Sequence, residues 1–327
     1  MNRKARVKAH SNIALIKYWG KKDDYLKLPM NSSLSMTLDC FYTITEVEFS
    51  KDLKEDIFYL NDSLQDKKAT EKISVFVDLF RQEAKTEDRV LIRSTNYLPT
   101  AAGLASSASG FAALAGALNE ALDLKMDKKD LSRFARRGSG SATRSVYGGF
   151  VEWVEGEDNE SSYARRVDPG DFDIGMVIVV LNPNKKKISS TKAMKETVES
   201  SPFYQIWPRE ANSNIIDMKK AIKDKDVKRI GEIAERNSIM MHATMMGAKD
   251  PIIYWEKDTM VAMDMVRQMR DEKIPAYFTM DAGPNVKIIC RKSDQDQLVE
   301  RLGQYFSDDQ IIKAGIGPSI SICEENL

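Results

Sequence analysis

The chain is poor in the residues that build most metal and nucleophile sites. Of its 327 residues only two are histidine, His10 and His242, and three are cysteine, Cys40, Cys290 and Cys323. Two imidazoles so far apart argue against a His-rich metal site and against a Ser-His-Asp triad; a lone His inside a helical run, as His242 is, more often serves packing than catalysis. The cysteines lack metal-ligand spacing, so they read as small buried apolar side chains of a reduced cytosolic protein, not as a disulfide framework. Net charge is missing as well: 49 Lys and Arg balance 49 Asp and Glu. Nonspecific nucleic-acid binding relies on excess positive charge, so this chain is a poor candidate for it, and any anion site must be local. The absence of a run of about 18 apolar residues excludes a membrane-spanning helix. The basic N-terminus has no acid before Asp23, but its apolar part is only Ile13-Ala14-Leu15-Ile16 and no small-residue cleavage site follows. It is therefore expected to belong to the mature protein and not to a targeting peptide.

What is present is 42% hydrophobic and 30% charged residues, a globular composition in a length that suits two domains or one large one. Residues 4–11 and 12–17 read as two short extended segments. Residues 34–38 and 42–49 alternate as strands with one wet face, and 57–60 is a third strand before the Asn61-Asp62 turn. Residues 69–84 place Ile73, Phe76, Val77 and Phe80 at helical spacing. A strand at 89–94, a helix of small and apolar residues at 106–122, a helix at 127–137 with Asp127 as N-cap and a strand at 149–154 follow. Residues 173–181 are almost wholly apolar and read as a central strand buried on both faces. Asn182-Pro183-Asn184 breaks it before Lys185-Lys186-Lys187, so the boundary is placed there, with domains at 1–184 and 185–327. The second half is mostly helical: a helix capped by Ser189-Ser190-Thr191 and ending near Glu199, then 212–222, 226–246 and 259–271. Met240, Met241, Met245 and Met246 suit packed core better than a Met-lined binding face. Strands at 275–280 and 286–290 around the turn Asp281-Ala282-Gly283-Pro284-Asn285, a helix at 294–306 and two short strands near 315–322 complete an α+β sandwich pattern.

One stretch organises the rest: Tyr97-Leu98-Pro99-Thr100-Ala101-Ala102-Gly103-Leu104-Ala105-Ser106-Ser107-Ala108-Ser109-Gly110, between a strand and a helix. Gly103 lets the backbone approach a ligand, the helix points free N–H groups back at the loop, and serine hydroxyls add donors; together they make an anion site, most often for phosphate. It is neither a Walker loop nor a dinucleotide fingerprint, and an ordinary loop with a Ser N-cap fits it too. Lys17 and Lys21 flank Tyr18, Trp19 and Gly20, as a cationic rim for an anion or as a solvated aromatic corner. In Gly138-Ser139-Gly140-Ser141-Ala142-Thr143-Arg144-Ser145, Arg144 adds a fork suited to carboxylate or phosphate, which a flexible linker would not need. Asp281, at a strand tip, is either a turn former or a positioned base. The set suits phosphoryl transfer, which needs charge neutralisation, positioning and an acceptor for the hydroxyl proton. Mg²⁺ arriving with a nucleotide uses few protein ligands, so the lack of a metal motif does not count against it.

Pro99-Thr100-Ala101-Ala102-Gly103-Leu104-Ala105-Ser106-Ser107-Ala108 resembles the phosphate loop of the GHMP kinase superfamily, with Ala105 where its kinases usually have a second Gly. Taken with Tyr18-Trp19-Gly20-Lys21, Ser139-Gly140-Ser141-Ala142-Thr143-Arg144 and Thr279-Met280-Asp281-Ala282-Gly283-Pro284-Asn285, the chain resembles the diphosphomevalonate decarboxylase family of that superfamily, from about Ala9 to Asn285. The resemblance implies a two-domain α+β fold: an N-terminal α/β domain with the phosphate loop, a C-terminal ferredoxin-like α/β sandwich, and the active site in the cleft between them. It implies phosphorylation by ATP, with Mg²⁺, of the tertiary 3-hydroxyl of (R)-5-diphosphomevalonate. Phosphate and CO₂ then leave, giving isopentenyl diphosphate for isoprenoid biosynthesis. Hydroxide is a poor leaving group and phosphate a good one, which is why ATP is needed.

The resemblance also implies roles. Asp281 accepts or orients the hydroxyl proton, Arg144 holds the substrate carboxylate, Asn12 braces Arg144, and Lys17 lies near the reacting phosphoryl group. Tyr18 and Lys21, with Trp19 and Gly20 between them, meet the diphosphate. Ser139, Gly140, Ser141, Ala142 and Thr143 line the substrate. Ser190 and Thr191 lie where the family binds diphosphate, although some bacterial relatives have Arg at the position of Thr191. Pro99, Gly103, Leu104, Ala105, Ser106 and Ser107 hold the ATP phosphates, and no protein metal ligand is implied; Ser94 and Asn96 are candidates for adenine only by their place at the strand end just before the loop. Members are commonly homodimers, and a cytoplasmic enzyme without nucleic-acid or membrane partners is expected. A kinase of the same superfamily would release ADP without CO₂, and a variant acting on a 3-phosphorylated mevalonate without the diphosphate would differ in substrate preference. A nucleotide-binding regulator would be expected to lack Asp281 or Arg144, and both are present.

Overall fold

The computed structural model describes residues 3–97, 107–181 and 188–323. Pro99, Gly103, Leu104, Ala105, Ser106 and the break at 182–187 lie outside the described residues. The first half runs β1 (Lys4–Ile16), a hairpin of β2 (Lys21–Asp23) and β3 (Leu28–Pro29), β4 (Ser33–Ser50), β5 (Ile57–Leu60), β6 (Ser63–Leu64), α1 (Lys67–Ala84), β7 (Arg89–Tyr97), α2 (Ser107–Ala121), α3 (Lys128–Gly138), a 3-10 helix (Gly140–Val146), β8 (Phe150–Trp153) and β9 (Ala164–Asp168). The second half runs β10 (Gly175–Val179), α4 (Ser190–Ser200), α5 (Trp207–Lys223), α6 (Val227–Met246), α7 (Lys257–Asp271), β11 (Ala276–Thr279), β12 (Val286–Cys290), α8 (Gln295–Leu302), β13 (Ile311–Ala314) and β14 (Ser321–Ile322).

β1 and β4 are each one long strand where patterning predicts two. The register of β1 on β4 slips between His10 and Asn12 and again between Ala14 and Ile16. Such bulges re-aim side chains and break the alternation on which a strand is recognised. Burial in β1 accordingly alternates up to Ala9 and is nearly continuous beyond it. These two strands centre an eight-stranded sheet in the order β14-β1-β4-β7-β5-β6, with β8 joining the start of β4 and β9 joining β8. β9 exposes Arg165 and Arg166 at the sheet edge, so it carries no apolar alternation to reveal it.

Helices α1, α2 and α3 pack on one face of this sheet, against Ala5, Val7, Ala9, Val47, Phe49 and Ile92. On the other face Ile13, Leu15, Leu34, Met36 and Leu38 share one core with Met176 and Ile178 of β10 and with α5 and α6. Each such fully buried side chain contributes about 1.5–3 kcal/mol, so this shared core fixes the two halves against each other.

The second sheet runs β11-β12-β10-β13, antiparallel throughout. Numbered by appearance that is the ferredoxin-like βαββαβ order, with α4 to α7 in the first crossover. β10 is buried on both faces as expected, with Val177 and Val179 turned toward α7 and α8. The boundary expected at residue 184 lies outside the described residues. Hydrogen bonding nevertheless places β10, before it, in the second sheet, and β14, after it, beside β1 in the first. The expected caps Asp127 and Ser189 each accept a backbone N–H of the first turn, and Asp226, read as the first residue of its helix, caps α6 in the same way. α5 starts at Trp207, ahead of the expected 212, because Pro208 sits in the first turn, where an N–H has no partner to lose.

Candidate active site

A cleft of about 390 Å³ opens where β1 ends, lined by the first residues of α2 and α4, the 3-10 helix and the tip of β11. A larger cavity, about 790 Å³, lies against the start of α6 and is lined by Lys228, Arg236, Arg270 and Tyr277 among others; it contains none of the expected residues. Chemistry, not size, selects the smaller one. Asn12, Lys17, Tyr18, Trp19, Lys21, Ser107, Ser139, Gly140, Ser141, Arg144, Ser190, Thr191 and Asp281 all line it.

The remaining expected residues differ. The 3-10 helix has three residues per turn, so Ser141 and Arg144 share its cleft side. Ala142 faces the α2 core instead, and the Thr143 hydroxyl donates to the Gly140 carbonyl at 2.7 Å. Gly20 does not line the cleft but shapes it: its φ is +100°, and a Cβ there would lie 1.8 Å from the Tyr204 hydroxyl. That hydroxyl donates to the Trp19 carbonyl at 2.9 Å. Ser94 is buried on Thr45 at 2.8 Å, and Asn96 accepts from the Thr43 hydroxyl at 2.8 Å; neither lines the cleft.

The floor of the cleft is a charge cluster. Asp281 follows β11, whose end is pinned by Ser238: its Oγ accepts from the Met280 N–H at 2.8 Å and lies 3.1 Å from the Met280 carbonyl. Lys17 Nζ donates to Asp281 Oδ1 at 2.8 Å and to the Ala14 carbonyl at 2.7 Å. Lys287 Nζ lies 3.2 Å from Asp281 Oδ2. The Lys17 and Lys287 residues are only 1% and 3% exposed, whereas the Asp281 side chain is 36% exposed toward the cleft. Burial by itself pushes the Asp281 carboxyl up, but the two ammoniums outweigh it and hold the group well below the usual carboxylate range. Burial pushes the Lys17 ammonium down to about 8, against the pull of Asp281.

Arg144 is fully buried, and among the described residues no carboxylate lies within ion-pair distance of it. Its Nη1 donates to Ser33 Oγ at 2.7 Å and its Nε to Asn12 Oδ1 at 3.3 Å. Asn12 in turn donates to the Ser141 carbonyl at 3.0 Å and to Ser145 Oγ at 2.8 Å. Burial pushes the guanidinium down to about 10. Lys17, Lys287 and Arg144 against Asp281 leave two positive charges in excess. A buried cation without a counterion is costly, so this floor is built for an anion that arrives from outside. Tyr18 Oη and Trp19 Nε1, buried and without a hydrogen-bond partner among the described residues, point the same way. The N-termini of α2 and α4 add positive ends at Ser107 and Ser190.

Sequence reasoning missed Lys287, and Lys27 and Lys72 on the cleft wall. Burial and the neighbouring Lys21 and Lys72 ammoniums push the Lys27 ammonium down. A signal for Lys287 existed: it is the one charge inside the apolar run Val286-Lys287-Ile288-Ile289-Cys290 of a strand flanked on both sides. Lys72 carried none, since it lies on the polar face of an amphipathic helix. His242 is packed against Trp255 at 5.1 Å between ring centroids, and burial pushes it down to about 3, in keeping with a packing role. Among the described residues no group of three His, Cys, Asp or Glu side chains is placed to hold a metal ion.

Residues 9–164 match the family model of the diphosphomevalonate decarboxylase-like N-terminal domain, and residues 176–321 match that of the mevalonate 5-diphosphate decarboxylase C-terminal domain. Diphosphomevalonate decarboxylase of Candida albicans is 34% identical over 99% of this chain and 99% of its own. The solved mevalonate diphosphate decarboxylase of Enterococcus faecalis is 48% identical over 98% of this chain and 99% of its own, with a TM-score of 0.93. A solved complex with MVAPP, AMPPCP and magnesium has the same identity, coverage and TM-score.

Proposed function

Since the chain belongs to the diphosphomevalonate decarboxylase family, we propose that it converts (R)-5-diphosphomevalonate and ATP to isopentenyl diphosphate, ADP, phosphate and CO₂. The observation that carries this reading is one cleft holding both a carboxylate braced by two lysines and a buried arginine that has no acidic partner among the described residues. A kinase needs the first; a reaction that expels a carboxylate also needs the second.

In this reading Arg144, steadied by Asn12 and Ser33, grips the substrate carboxylate. Asp281 orients the 3-hydroxyl, and Lys17 neutralises charge on the phosphoryl group as it moves. Tyr18, Lys21, Ser190 and Thr191 hold the diphosphate, while Ser139 and Ser141 line the substrate. Ser107 and the N-terminus of α2 meet the nucleotide phosphates, in the manner of helix N-termini generally. Among the described residues the only carboxylate on the cleft wall has both oxygens facing lysines, so Mg²⁺ would enter as a companion of the nucleotide, and the Ser107 hydroxyl is the side chain that would help phosphate oxygens and water to hold it. When bound it neutralises phosphate charge.

Two finer assignments belong to the same proposal. The protein is a homodimer, as the family resemblance suggests; sedimentation at the mass of one chain would remove that part. It is cytoplasmic, in keeping with three free, scattered cysteines; fractionation with a secreted or membrane marker would remove that one. Among the described residues no helix is long and apolar enough to cross a membrane.

The deciding assay supplies ATP, Mg²⁺ and 5-diphosphomevalonate and follows ADP and CO₂ together. Equal release of both is expected, with mevalonate and its monophosphate as poor substrates. ADP without CO₂ would make the protein a kinase on this fold. A preference for the monophosphate would move the substrate assignment.

A further inference from the structure

Lys287 sits in the interior of the second sheet. β12 lies between β11 and β10, and Lys287 is in register with Thr279 on one side and Ile178 on the other. Two residues along the same strand, Ile289 belongs to the core shared by both halves. An ammonium there is expensive, because taking a charge out of water costs several kcal/mol even after relaxation. Its compensation is small: the Asn285 carbonyl at 3.2 Å and one oxygen of Asp281 at 3.2 Å, a carboxylate that Lys17 already neutralises through its other oxygen. Stability alone needs one cation on that carboxylate, not two.

We propose that Lys287 is a positioning residue of the decarboxylation reaction, one that clamps Asp281 by Oδ2 so that Oδ1 stays on Lys17 and the exposed edge of the carboxylate meets the substrate hydroxyl. This inference rests on the function proposed above and adds a residue to its site. The clamp has a geometric rationale. A carboxylate held at one oxygen can swing about its Cβ–Cγ bond, whereas one held at both cannot. Ser238 on Met280 and the Asp281 carbonyl to Gly283 N–H turn, at 2.7 Å, hold the backbone there, but neither restrains rotation of the carboxylate itself. Misplacement of a catalytic group by about 1 Å can cost about 10²-fold in rate.

The charge of Lys287 supplies a readout that packing does not. Among the described residues the charged and titratable groups facing the Lys17–Asp281 pair are Lys287 from β12, Arg144 from the 3-10 helix and His242 from α6, with Tyr18 on the cleft wall beside Arg144. Lys287 repels the Lys17 ammonium and so helps to hold it down. Without Lys287 the Lys17 ammonium persists to higher pH.

The test is Lys287→Met, of similar length and no charge, assayed for CO₂ release with ATP, Mg²⁺ and 5-diphosphomevalonate across pH 6 to 10. The expected result is a kcat lowered about 10²-fold, the scale for one preorganised electrostatic contact, with KM for both substrates within about threefold. The alkaline limb of kcat should move to higher pH, and in an Asp281→Asn background the same change should cost nothing further. Unchanged kcat with an unmoved limb overturns the proposal. So does a loss that persists in the Asp281→Asn background, which would make Lys287 structural. If Lys287→Met does not fold, Lys287→Arg decides: recovery of a tenth or more of wild-type kcat with the wild-type limb supports a positioning cation, and a folded variant without recovery overturns it. Wild-type protein that releases no CO₂ overturns the proposed function itself, and this inference with it.

Discussion

Asp281→Asn is expected to keep nucleotide binding and to lose turnover by about 10³- to 10⁴-fold, the upper range for a positioned acid–base group. The magnitude follows from how Asp281 can act. A hydroxyl with a pKa near that of water, about 15.7, lies about 12 units above an ordinary carboxylate, and Asp281 is held lower still by Lys17 and Lys287. Complete proton removal beforehand would cost at least about 16 kcal/mol at 1.36 kcal/mol per unit. A turnover of about 10 s⁻¹ leaves a barrier of about 16 kcal/mol in total. Prior deprotonation would therefore consume the whole barrier before any bond to phosphorus formed. The carboxylate instead orients the O–H and stabilises its positive end, taking the proton only as the new O–P bond draws charge from oxygen. Asn keeps the shape and one acceptor but not the charge.

The same substitution has a signature in pH. Lys17 is pushed down to about 8 by burial, with Asp281 pulling the other way. Removing the negative charge lets the Lys17 ammonium fall further, so the alkaline limb of the residual activity should move to lower pH. That is opposite in sign to the shift expected for Lys287→Met. Near-normal turnover of Asp281→Asn would remove Asp281 from the mechanism. A large loss with an unmoved limb would detach it from Lys17.

Much of this cleft was legible because its parts are local in sequence. Tyr18 to Lys21, Ser139 to Arg144 and Asp281 to Asn285 each announce themselves by small residues, hydroxyls or a charge at the end of an element, and the fold brings all three to one place. Illegible parts were those set by tertiary pairing. The bulges in β1 that aim Asn12 and Lys17 appear only against β4, through a register slip that no pattern within β1 encodes. β10 reads as buried on both faces whichever sheet holds it, so its partners β12 and β13 could not be read from its own residues. Ala142 and Thr143 were expected in the cleft because the family resemblance covers the whole motif, which says nothing of which side each residue faces; a 3-10 turn hands the cleft to Ser141 and Arg144 instead.

Arg144→Met is the second decisive change, and activity and stability should part company in it. Turnover is expected to fall at least about 10²-fold, the cost of one preorganised electrostatic contact, with nucleotide binding unchanged. Arg144 is buried, and among the described residues no carboxylate pairs with it. Its hydrogen bonds to Asn12 and Ser33 are to neutral side chains. Desolvation of its charge is thus uncompensated until an anion arrives, and replacing such a charge by a hydrophobic side chain of similar volume is often neutral or stabilising. The thermal midpoint of the unliganded protein should therefore hold or rise while the rate collapses. Methionine fills the space against Trp153, over whose ring the guanidinium carbon now sits at 5.9 Å, so no large cavity is made. Arg144→Lys should recover little, since a single ammonium cannot reproduce a planar fork on a carboxylate. If the rate is unchanged, the substrate carboxylate is held elsewhere, and Lys27 or Lys72 on the cleft wall would be the cations to replace next. If rate and midpoint fall together, Arg144 is a structural brace for Asn12 and Ser33, and the distinction drawn here between a kinase and a decarboxylase loses its residue.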